Sequence, residues 1–178
     1  MRSDEDLMLA VRDGNLDAFE ALVLRHQGEA WRVAYWFIGD AAEAEDLAQE
    51  AFLKILDAAR RYRVDATFRT YLVRVLTHLC LDHRRKKRPI CGELPSNATD
   101  DEPSPPQQAG RAERDARIQA ALDALPADYR MVIVLRYFEG LSANETAHVM
   151  GRSVKAVEHL GARAKAILEP RLRGLLED

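Results

Sequence analysis

The sequence predicts an all-α protein of two small helical domains joined by a flexible linker, the second domain containing a helix-turn-helix. Apolar residues recur at spacings of three and four on both sides of a proline-rich stretch, and no useful length alternates with the period of a strand. Five of the seven prolines fall between residues 89 and 106, where large apolar residues are scarce. Such a segment cannot order itself by burial. The predicted domains are therefore 1–88 and 113–178, with the linker at 89–112.

Length and composition narrow the class of protein. The 178 residues fit two small domains, and a hydrophobic share of 47% is enough for a core, which excludes wholesale disorder. No apolar run approaches the roughly 18–20 residues of a membrane span, and the acidic start lacks the pattern of a secretory signal. Two cysteines are too few for a disulfide framework. We expect a soluble, cytoplasmic protein.

The first domain is predicted to contain four helices, at about 4–12, 16–38, 42–61 and 67–87. Gly39 breaks the chain between the second and the third. The third helix carries a stripe of acidic residues away from its apolar face. The residues expected to face inward from the last three helices are Phe19, Leu22, Val23, Val33, Ala34, Phe37, Leu47, Ala51, Ile55, Ala58, Phe68, Tyr71, Leu72, Val75, Leu76 and Leu79.

The second domain is also predicted to be helical, at about 116–125, 127–138, 143–150 and 153–168. Ser142 and Glu145 form a capping box that opens the third of these helices. Ser153 can cap the last helix, which is expected to end before Pro170.

A helix-turn-helix is predicted from the spacing of Ala147, Gly151 and Val157. A small residue lets the two helices approach, glycine permits the tight turn, and valine fills the crossing. The alternative is an ordinary helical hairpin, which the caps and the spacing together disfavour. The inward side of the last helix is expected to be Val154, Val157, Ala164 and Ile167. Its outward side, which meets bases and phosphates in such a motif and is otherwise a solvated face, carries Arg152, Lys155, Ala156, His159 and Arg163.

The net charge of −3 hides a strong segregation of charge along the chain. Residues 1–59 hold five basic and 13 acidic residues, whereas residues 60–88 hold ten basic and two acidic ones. Residues 113–178 are balanced, with ten of each. Two surfaces of opposite charge indicate two different partners.

The basic segment 60–88 is a second candidate for binding nucleic acid. Its terminal run RRKKR attracts phosphate without sequence information, and nearby aromatic residues can stack on unpaired bases. The alternative is that the aromatic residues belong to the core. We expect this for Phe68 and leave it open for Tyr71.

The acidic third helix has two interpretations. Its carboxylates can simply solvate an exposed face, which is the commoner case. Residues 44–52, however, mix carboxylates, an amide and apolar residues on neighbouring turns, which is typical of a protein-docking surface.

Catalysis finds little support in the sequence. It contains no glycine-rich phosphate loop, no paired histidines of a metalloprotease and no nucleophile elbow. Cys80, His83 and Cys91 would make an incomplete metal site, since a fourth ligand is missing and Cys80 fits the core. We expect no enzyme activity, no cofactor, no metal and no small-molecule substrate.

Three stretches together resemble bacterial RNA polymerase sigma factors of the extracytoplasmic-function (group 4) type of the sigma-70 family. AAEAEDLAQEAFLKIL (41–56) is similar to the helix that docks on polymerase in that family. FRTYLVRVLTHLCLDHRRKKR (68–88) is similar to the segment that recognises and melts the −10 element, and residues 121–168 are similar to the region that binds the −35 element. The order of the three stretches and the intervening linker also match.

The resemblance implies partners and residue roles. The partners would be core RNA polymerase, through its beta and beta-prime subunits, promoter DNA, and an anti-sigma factor wedged against both domains over residues 44–54 and the −35 face. Polymerase docking would fall to Asp46, Gln49, Glu50 and Phe52. The −10 strand would be held by Tyr62, Arg63, Tyr71, Arg74, His78, Arg84 and Arg85, with the loop 62–67 capturing a flipped base. The −35 element would be contacted by Arg152, Ser153, Lys155, Ala156, His159 and Arg163.

The sequence also departs from the family pattern. Tyr71 stands where tryptophan is usual, and His78 replaces the usual asparagine. Ala156 and Leu160 replace a hydroxyl and a basic residue in the last helix, which suggests a different −35 preference. Two other functions remain open: an interaction protein that mimics a sigma factor and titrates an anti-sigma factor, and a conventional helix-turn-helix regulator.

Overall fold

The computed structural model describes residues 2–87 and 106–176, and every regular element in these ranges is helical, which confirms the predicted class. None of the described helices is long and apolar enough to cross a membrane. The helices are α1 (Asp4–Arg12), α2 (Leu16–Ile38), α3 (Ala41–Ala58) with a 3₁₀ turn at Ala59–Arg61, α4 (Phe68–Lys87), α5 (Pro106–Asp123), α6 (Ala127–Ile133) with a π-helical turn at Val134–Phe138, α7 (Ala143–Met150) and α8 (Val154–Leu176).

Side-chain caps fix where the first helices begin. The Ser3 hydroxyl accepts a hydrogen bond from the Asp6 N–H at the start of α1, and Asn15 accepts one from the Ala18 N–H at the start of α2. Gly39 ends α2 with a φ of +89°, a conformation that glycine adopts without strain. The chain then restarts at once, since Asp40 accepts a hydrogen bond from the Glu43 N–H.

Two helix boundaries differ from the predicted ones. Helix α5 begins at Pro106, ten residues before the predicted start, so residues 106–112 of the predicted linker are helical. Proline fits the first turn of a helix, where its missing N–H has no partner to lose. The rest of the predicted linker lies outside the described residues. Helix α8 continues through Pro170 to Leu176, because Pro170 is exposed and water can reach the Ala166 carbonyl that it leaves without a donor.

The first four helices pack around one apolar core, as the helical periodicity predicts. Leu22, Phe37, Ile55, Phe68 and Leu72 are fully buried where α2, α3 and α4 meet. Each such side chain contributes about 1.5–3 kcal/mol relative to an exposed one. The predicted core position of Phe68 is thus confirmed, whereas Tyr71 is half-buried.

The core continues from these helices into the second half of the chain. Helix α7 packs against α4, and the buried residues Met131, Val134 and Leu135 belong to the same apolar cluster as the first half. The rings of Trp36 and Phe138 lie 4.5 Å apart between their centroids. The two halves, which the sequence separates, are therefore in close contact in the described structure.

A chain of charged groups links α1, α2 and α4 at one side of the first core. His26 Nε2 lies 2.7 Å from Asp4 Oδ2, and its Nδ1 lies 3.6 Å from Glu29 Oε2. Arg69 Nε donates to Glu29 Oε1 over 2.5 Å. The neighbouring Glu29 and Asp4 carboxylates raise the pKa of His26 despite its burial. Burial alone would raise the pKa of Glu29, but its His26 and Arg69 contacts outweigh burial and lower it.

This network predicts a pH dependence of stability. Because the pKa of His26 is raised in the folded state, the imidazolium stabilises the fold fully below its unfolded pKa, and this contribution is lost as pH rises through the folded pKa. We expect His26→Gln to flatten the decline in the free energy of unfolding between about pH 6 and pH 8, measured by urea denaturation. Arg25→Gln removes the other Asp4 partner without removing a histidine, and should lower stability with the slope retained. An unchanged slope in His26→Gln would contradict the assignment.

Candidate functional site

The docking surface predicted on α3 is exposed with one exception. Asp46, Gln49 and Glu50 face solvent. Phe52 is only 5% exposed and packs edge-on against Phe19, with 6.4 Å between the ring centroids. Phe52 therefore contributes to the core, because it lies three residues before the buried Ile55 on the inward face, and its docking role stays a prediction. The apolar side chain presented instead is Leu53, which is 59% exposed.

Glu43, part of the predicted acidic stripe, is instead paired within the protein. One of its oxygens lies 2.8 Å from His83 Nε2, and the other accepts a hydrogen bond from the Lys87 ammonium. Burial alone would raise the pKa of Glu43, but the bonds from Lys87 and His83 outweigh it and hold the pKa below its ordinary value. Glu43 therefore anchors the end of α4 to α3 and is not available to an outside partner. The exposed residues of the helix that remain available are called the α3 patch: Asp46, Gln49, Glu50 and Leu53.

Helix α4 presents the predicted −10 residues unequally. Arg74, His78 and Arg85 are exposed on the side away from the core. Arg85 pairs with Asp82 at 3.3 Å. Arg84 is drawn inward, since its Nη1 donates to the Phe37 carbonyl over 3.4 Å and its guanidinium lies 5.5 Å from the centroid of the Phe37 ring.

The loop before α4 also differs from the prediction. Tyr62 is only 6% exposed and its ring lies 5.5 Å from that of Tyr71, so it is a core residue rather than an open stacking surface. Burial and the nearby Glu5 carboxylate raise the pKa of Tyr62. The residues that the loop does expose include the predicted Arg63 and the neighbouring Val64, which is 54% exposed.

The start of α4 is fixed by a residue from the far N-terminal helix. Glu5 Oε1 accepts a hydrogen bond from the Phe68 N–H over 2.9 Å, and Thr67 Oγ1 accepts one from the Thr70 N–H over 3.2 Å. Both acceptors satisfy N–H groups that a helix start leaves without partners. The position of the 62–67 loop therefore depends on α1 as well as on α4.

The helix-turn-helix is present as predicted. The Ser142 hydroxyl accepts from the Glu145 N–H, and Glu145 in turn accepts from the Ser142 N–H over 2.7 Å. These bonds lower the pKa of Glu145. Gly151 makes the turn with a φ of +63°, and Val157 is fully buried at the crossing. Ser153 caps α8 by accepting from the Ala156 N–H over 3.1 Å.

The outward face of α8 carries the predicted −35 residues. Arg152, Ser153, Lys155, His159 and Arg163 are exposed, and Ala156 is half-exposed. The Arg152 guanidinium also pairs with the Asp128 carboxylate, so it has to exchange that partner to meet a phosphate.

One inward prediction for α8 is wrong. Val154 is 36% exposed because it occupies the first turn, before α8 reaches the core. The inward positions are Val157, Gly161, Ala164 and Leu168, four residues apart or nearly so, with Ile167 half-buried beside them.

The incomplete metal site finds no support in the described residues, among which no group of three histidine, cysteine or carboxylate residues could hold an ion. Burial raises the pKa of Cys80 to about 12, so its thiol stays protonated at neutral pH. His83 is engaged with Glu43, and Cys91 lies outside the described ranges.

Sequence patterns missed the polar contacts between the two halves. Arg130, whose side chain is fully buried, donates to the Trp36 carbonyl, and the Glu139 carboxylate meets Arg32. The sequence offers only a weak signal, since Arg130 directly precedes the apolar run MVIVL. A charge at the edge of such a run is compatible with an exposed position, so periodicity alone does not place it.

Comparison with known families assigns both halves of the chain. The model of sigma-70 region 2 matches residues 22–90, and a model of sigma-70 region 4 matches residues 115–168. The RNA polymerase sigma-H factor of Pseudomonas aeruginosa is 33% identical, with 98% of this chain and 96% of the relative covered. The ECF RNA polymerase sigma factor SigW of Bacillus subtilis is 31% identical, with 93% and 94% covered.

A solved structure has the same arrangement over nearly the whole chain. The structure of CnrH in complex with the cytosolic domain of CnrY is 31% identical and superposes with a TM-score of 0.75, covering 97% of this chain and 99% of that one. The likeness thus extends across α1–α8 and includes both matched regions.

The left-handed conformation of Gly151 generates a stability prediction. Replacing Gly151 and replacing a helical glycine, Gly28, by alanine should change the free energy of unfolding in opposite directions. Gly151→Ala should lower the free energy of unfolding by about 1–2 kcal/mol, because a side chain disfavours the left-handed conformation. Gly28, exposed inside α2, has open space where a Cβ would lie, so Gly28→Ala should raise that free energy by about 0.5–1 kcal/mol. Urea denaturation measures both, and the same sign in the two variants would contradict the assigned conformations.

Proposed function

The chain belongs to the sigma-70 family of RNA polymerase sigma factors, in the extracytoplasmic-function group, and we propose from this premise that it binds core RNA polymerase and directs initiation at its own promoters. The −10 and −35 elements would be recognised by its first and second halves. The observation that carries the proposal is the presence, in one chain, of the exposed α3 patch, the outward cations of α4 and the capped helix-turn-helix.

The α3 patch supplies the polymerase contact in this proposal. Leu53 is the exposed apolar centre, and Asp46, Gln49 and Glu50 surround it with acceptors and charge. An apolar centre within a polar rim is the usual anatomy of a protein interface. The clamp of the largest subunit, beta-prime, would receive this patch.

The exposed side of α4 and the loop before it would act on the −10 element. Arg74 and His78 lie one helical turn apart, so they can follow a single strand along its phosphates. Extruding a base costs a few kcal/mol, which a pocket for that base offsets. With Tyr62 buried, the exposed loop residues Arg63 and Val64 are placed to meet such a base.

Helix α8 would enter the major groove at the −35 element. Lys155 and His159 lie one turn apart on an exposed face, Arg163 follows one turn later, and the exposed Ser153 caps the start of the helix. N-terminal residues of such a helix meet base edges, while flanking cations hold phosphates. The half-exposed Ala156 presents only a methyl group, which favours contact with a thymine methyl over a hydrogen bond.

An anti-sigma factor would control this activity in the cytoplasm. Support comes from CnrH, since its structure in complex with the cytosolic domain of CnrY has the same arrangement as this chain. Because the two halves already share a core, an inhibitor of this form would lie across the outer surfaces of both, over the α3 patch and the α8 face. A sigma mimic would not need the exposed cations of α4 and α8, so these residues favour the sigma factor.

The direct test is reconstituted transcription. The purified chain is added to core RNA polymerase on genomic DNA, and transcript start sites are mapped after overexpression in parallel. We expect starts that share two sequence elements at fixed spacing. A folded protein that supports no initiation, or that binds duplex tightly without polymerase, would instead favour a mimic or a conventional regulator.

Two cations on α8 provide a specific prediction. Lys155→Ala and Arg163→Ala should each weaken holoenzyme binding to promoter duplex, and the slope of log affinity against log salt should fall by about 1 for each phosphate that is no longer neutralised. Lys165 is the matched control, because its ammonium lies 4.8 Å from the centroid of the Tyr137 ring, away from that face. Equal reductions in all three variants, measured by fluorescence anisotropy, would argue against the α8 face.

Charge reversal tests the α3 patch. Asp46→Lys and Glu50→Lys should each lower affinity for core polymerase by about tenfold or more, since like charges at an interface are strongly unfavourable. Glu113→Lys is the control, because it reverses an exposed acid on α5, away from the α3 patch. Binding is measured by competition against a labelled sigma factor, and helix content by circular dichroism. A reduction with Glu113→Lys as large as the others would show a general charge effect.

A further inference from the structure

The buried polar groups of the described residues are concentrated where the two halves meet. Five polar or charged residues are buried in these ranges: Thr77, Gln119, Arg130, Glu139 and Thr146. The first four bond from one half to the other, and Thr146 lies on α7, which packs against α4. The contact also buries apolar side chains, since Met131, Val134 and Leu135 share one cluster with the first half, so the polar groups lie within a partly apolar contact.

Arg130 is the centre of this contact. Its Nε donates to the Trp36 carbonyl over 2.9 Å, and its Nη2 donates to Gln119 Oε1 over 2.5 Å. Its Nη1 also bonds the Asp123 carboxylate. Gln119 in turn donates to the Tyr35 carbonyl over 3.0 Å. The second half therefore binds carbonyls of the last turn of α2, which is the negative end of that helix.

Glu139 makes the second contact between the halves, and here the second half supplies the negative charge. Its carboxylate, only 2% exposed, accepts from Arg32 Nη2 over 3.1 Å, and its backbone carbonyl accepts from Arg69 Nη2 over 3.0 Å. Arg69 also belongs to the network of His26 and Glu29. Each half thus contributes arginine side chains that bond to the other half: Arg130 from the second half, and Arg32 and Arg69 from the first.

The hydrogen-bond and ion-pair partners of Arg130 and Glu139 are arranged so that the two halves can separate. When the halves separate, Arg130 retains its hydrogen bonds to Asp123 and Gln119, which belong to its own half. Its positive charge therefore stays compensated. Glu139 and its arginines can exchange one another for water. Contacts that form and dissolve are more polar than permanent cores, where a buried ion pair gives no advantage over apolar packing.

The promoter requires such a separation. Elements named −10 and −35 lie about 25 base pairs apart, or about 85 Å at 3.4 Å per base pair. A closed protein of this length is about 40 Å across. The 18 residues between Lys87 and Pro106 can extend to about 60 Å. The two halves can therefore reach both elements only after they part.

We propose that the Arg130 and Glu139 contacts form a latch that holds the free protein closed without any inhibitor. The closed form is then the resting state, and closure competes with promoter binding. An inhibitor would select this state rather than create it. This inference rests on the proposed function for the meaning of the open state, but closure itself is a property of the free chain.

The test measures closure without polymerase or DNA. Spin labels are placed on the full chain at Glu20→Cys in α2 and Glu169→Cys in α8, two exposed positions, with Cys91→Ser to remove the competing thiol. Cys80 is fully buried and stays unlabelled. Pulsed dipolar spectroscopy should show one narrow distance in the parent protein. Glu139→Arg, which faces Arg32 and Arg69, should raise the ratio of open to closed molecules by about tenfold or more.

A matched control and a rescue complete the experiment. Glu113→Arg reverses an exposed acid that pairs with Arg117 within α5, and should leave the narrow distance unchanged. Adding Arg32→Glu to Glu139→Arg should restore closure in part. Where circular dichroism shows that Glu139→Arg loses helix, Arg32→Met is the test variant, because its side chain is half exposed, and a smaller shift is expected.

Two results would overturn the latch. One is a broad, long distance in the parent protein, and the other is an unchanged narrow distance in Glu139→Arg or Arg32→Met. Neither result bears on the outcome of the transcription assay, and a negative transcription assay does not change the distances expected in the free chain. The two proposals therefore fail separately.

Discussion

The packing of α4 is the constraint on which the rest of the molecule depends. One side of this helix supplies Phe68 and Leu72 to the first core, while Thr77 contacts Met131 of the second half. Only the remaining side is free to carry Arg74 and His78 into solvent. A single helix therefore joins the core, the contact between the halves and the proposed −10 surface. Any motion that parts the halves uncovers one side of α4 and leaves the outward cations where they are.

Internal pairing reduces the basic surface that the sequence suggests. Residues 60–88 hold ten basic residues, yet Arg69 is paired with Glu29, Lys87 with Glu43, and Arg84 lies against Phe37. These pairs fix α4 to its neighbours, and a partner that engages those cations has to replace the contacts. The charge available to a phosphate without rearrangement is therefore smaller than the composition implies, which fits a protein that gains its DNA affinity from polymerase and from two tethered sites.

Local signals in the sequence predicted local structure well. The caps at Ser142 and Ser153 and the turn at Gly151 are formed within a few residues, so their chemistry fixes them. Whether a residue at the edge of a buried face points inward or outward was less predictable. Phe52 and Tyr62 have the residue types of a binding site but lie inward, because an aromatic ring can serve either purpose and the neighbouring helix decides.

The contact between the halves was unpredictable for a different reason, which also bears on its purpose. An apolar helix face shows that something covers it, but not whether the cover is near or far in sequence. Arg130 and Glu139 acquire their meaning only when α2 and α4 are placed beside them. The apolar side chains shared by the halves, among them Met131 and Leu135, hold them together without selecting partners by charge. The polar groups add less per unit area than apolar packing does, since each of them also binds water well when released. In the proposed latch, these few polar residues are therefore the ones through which closure can be tuned against promoter binding.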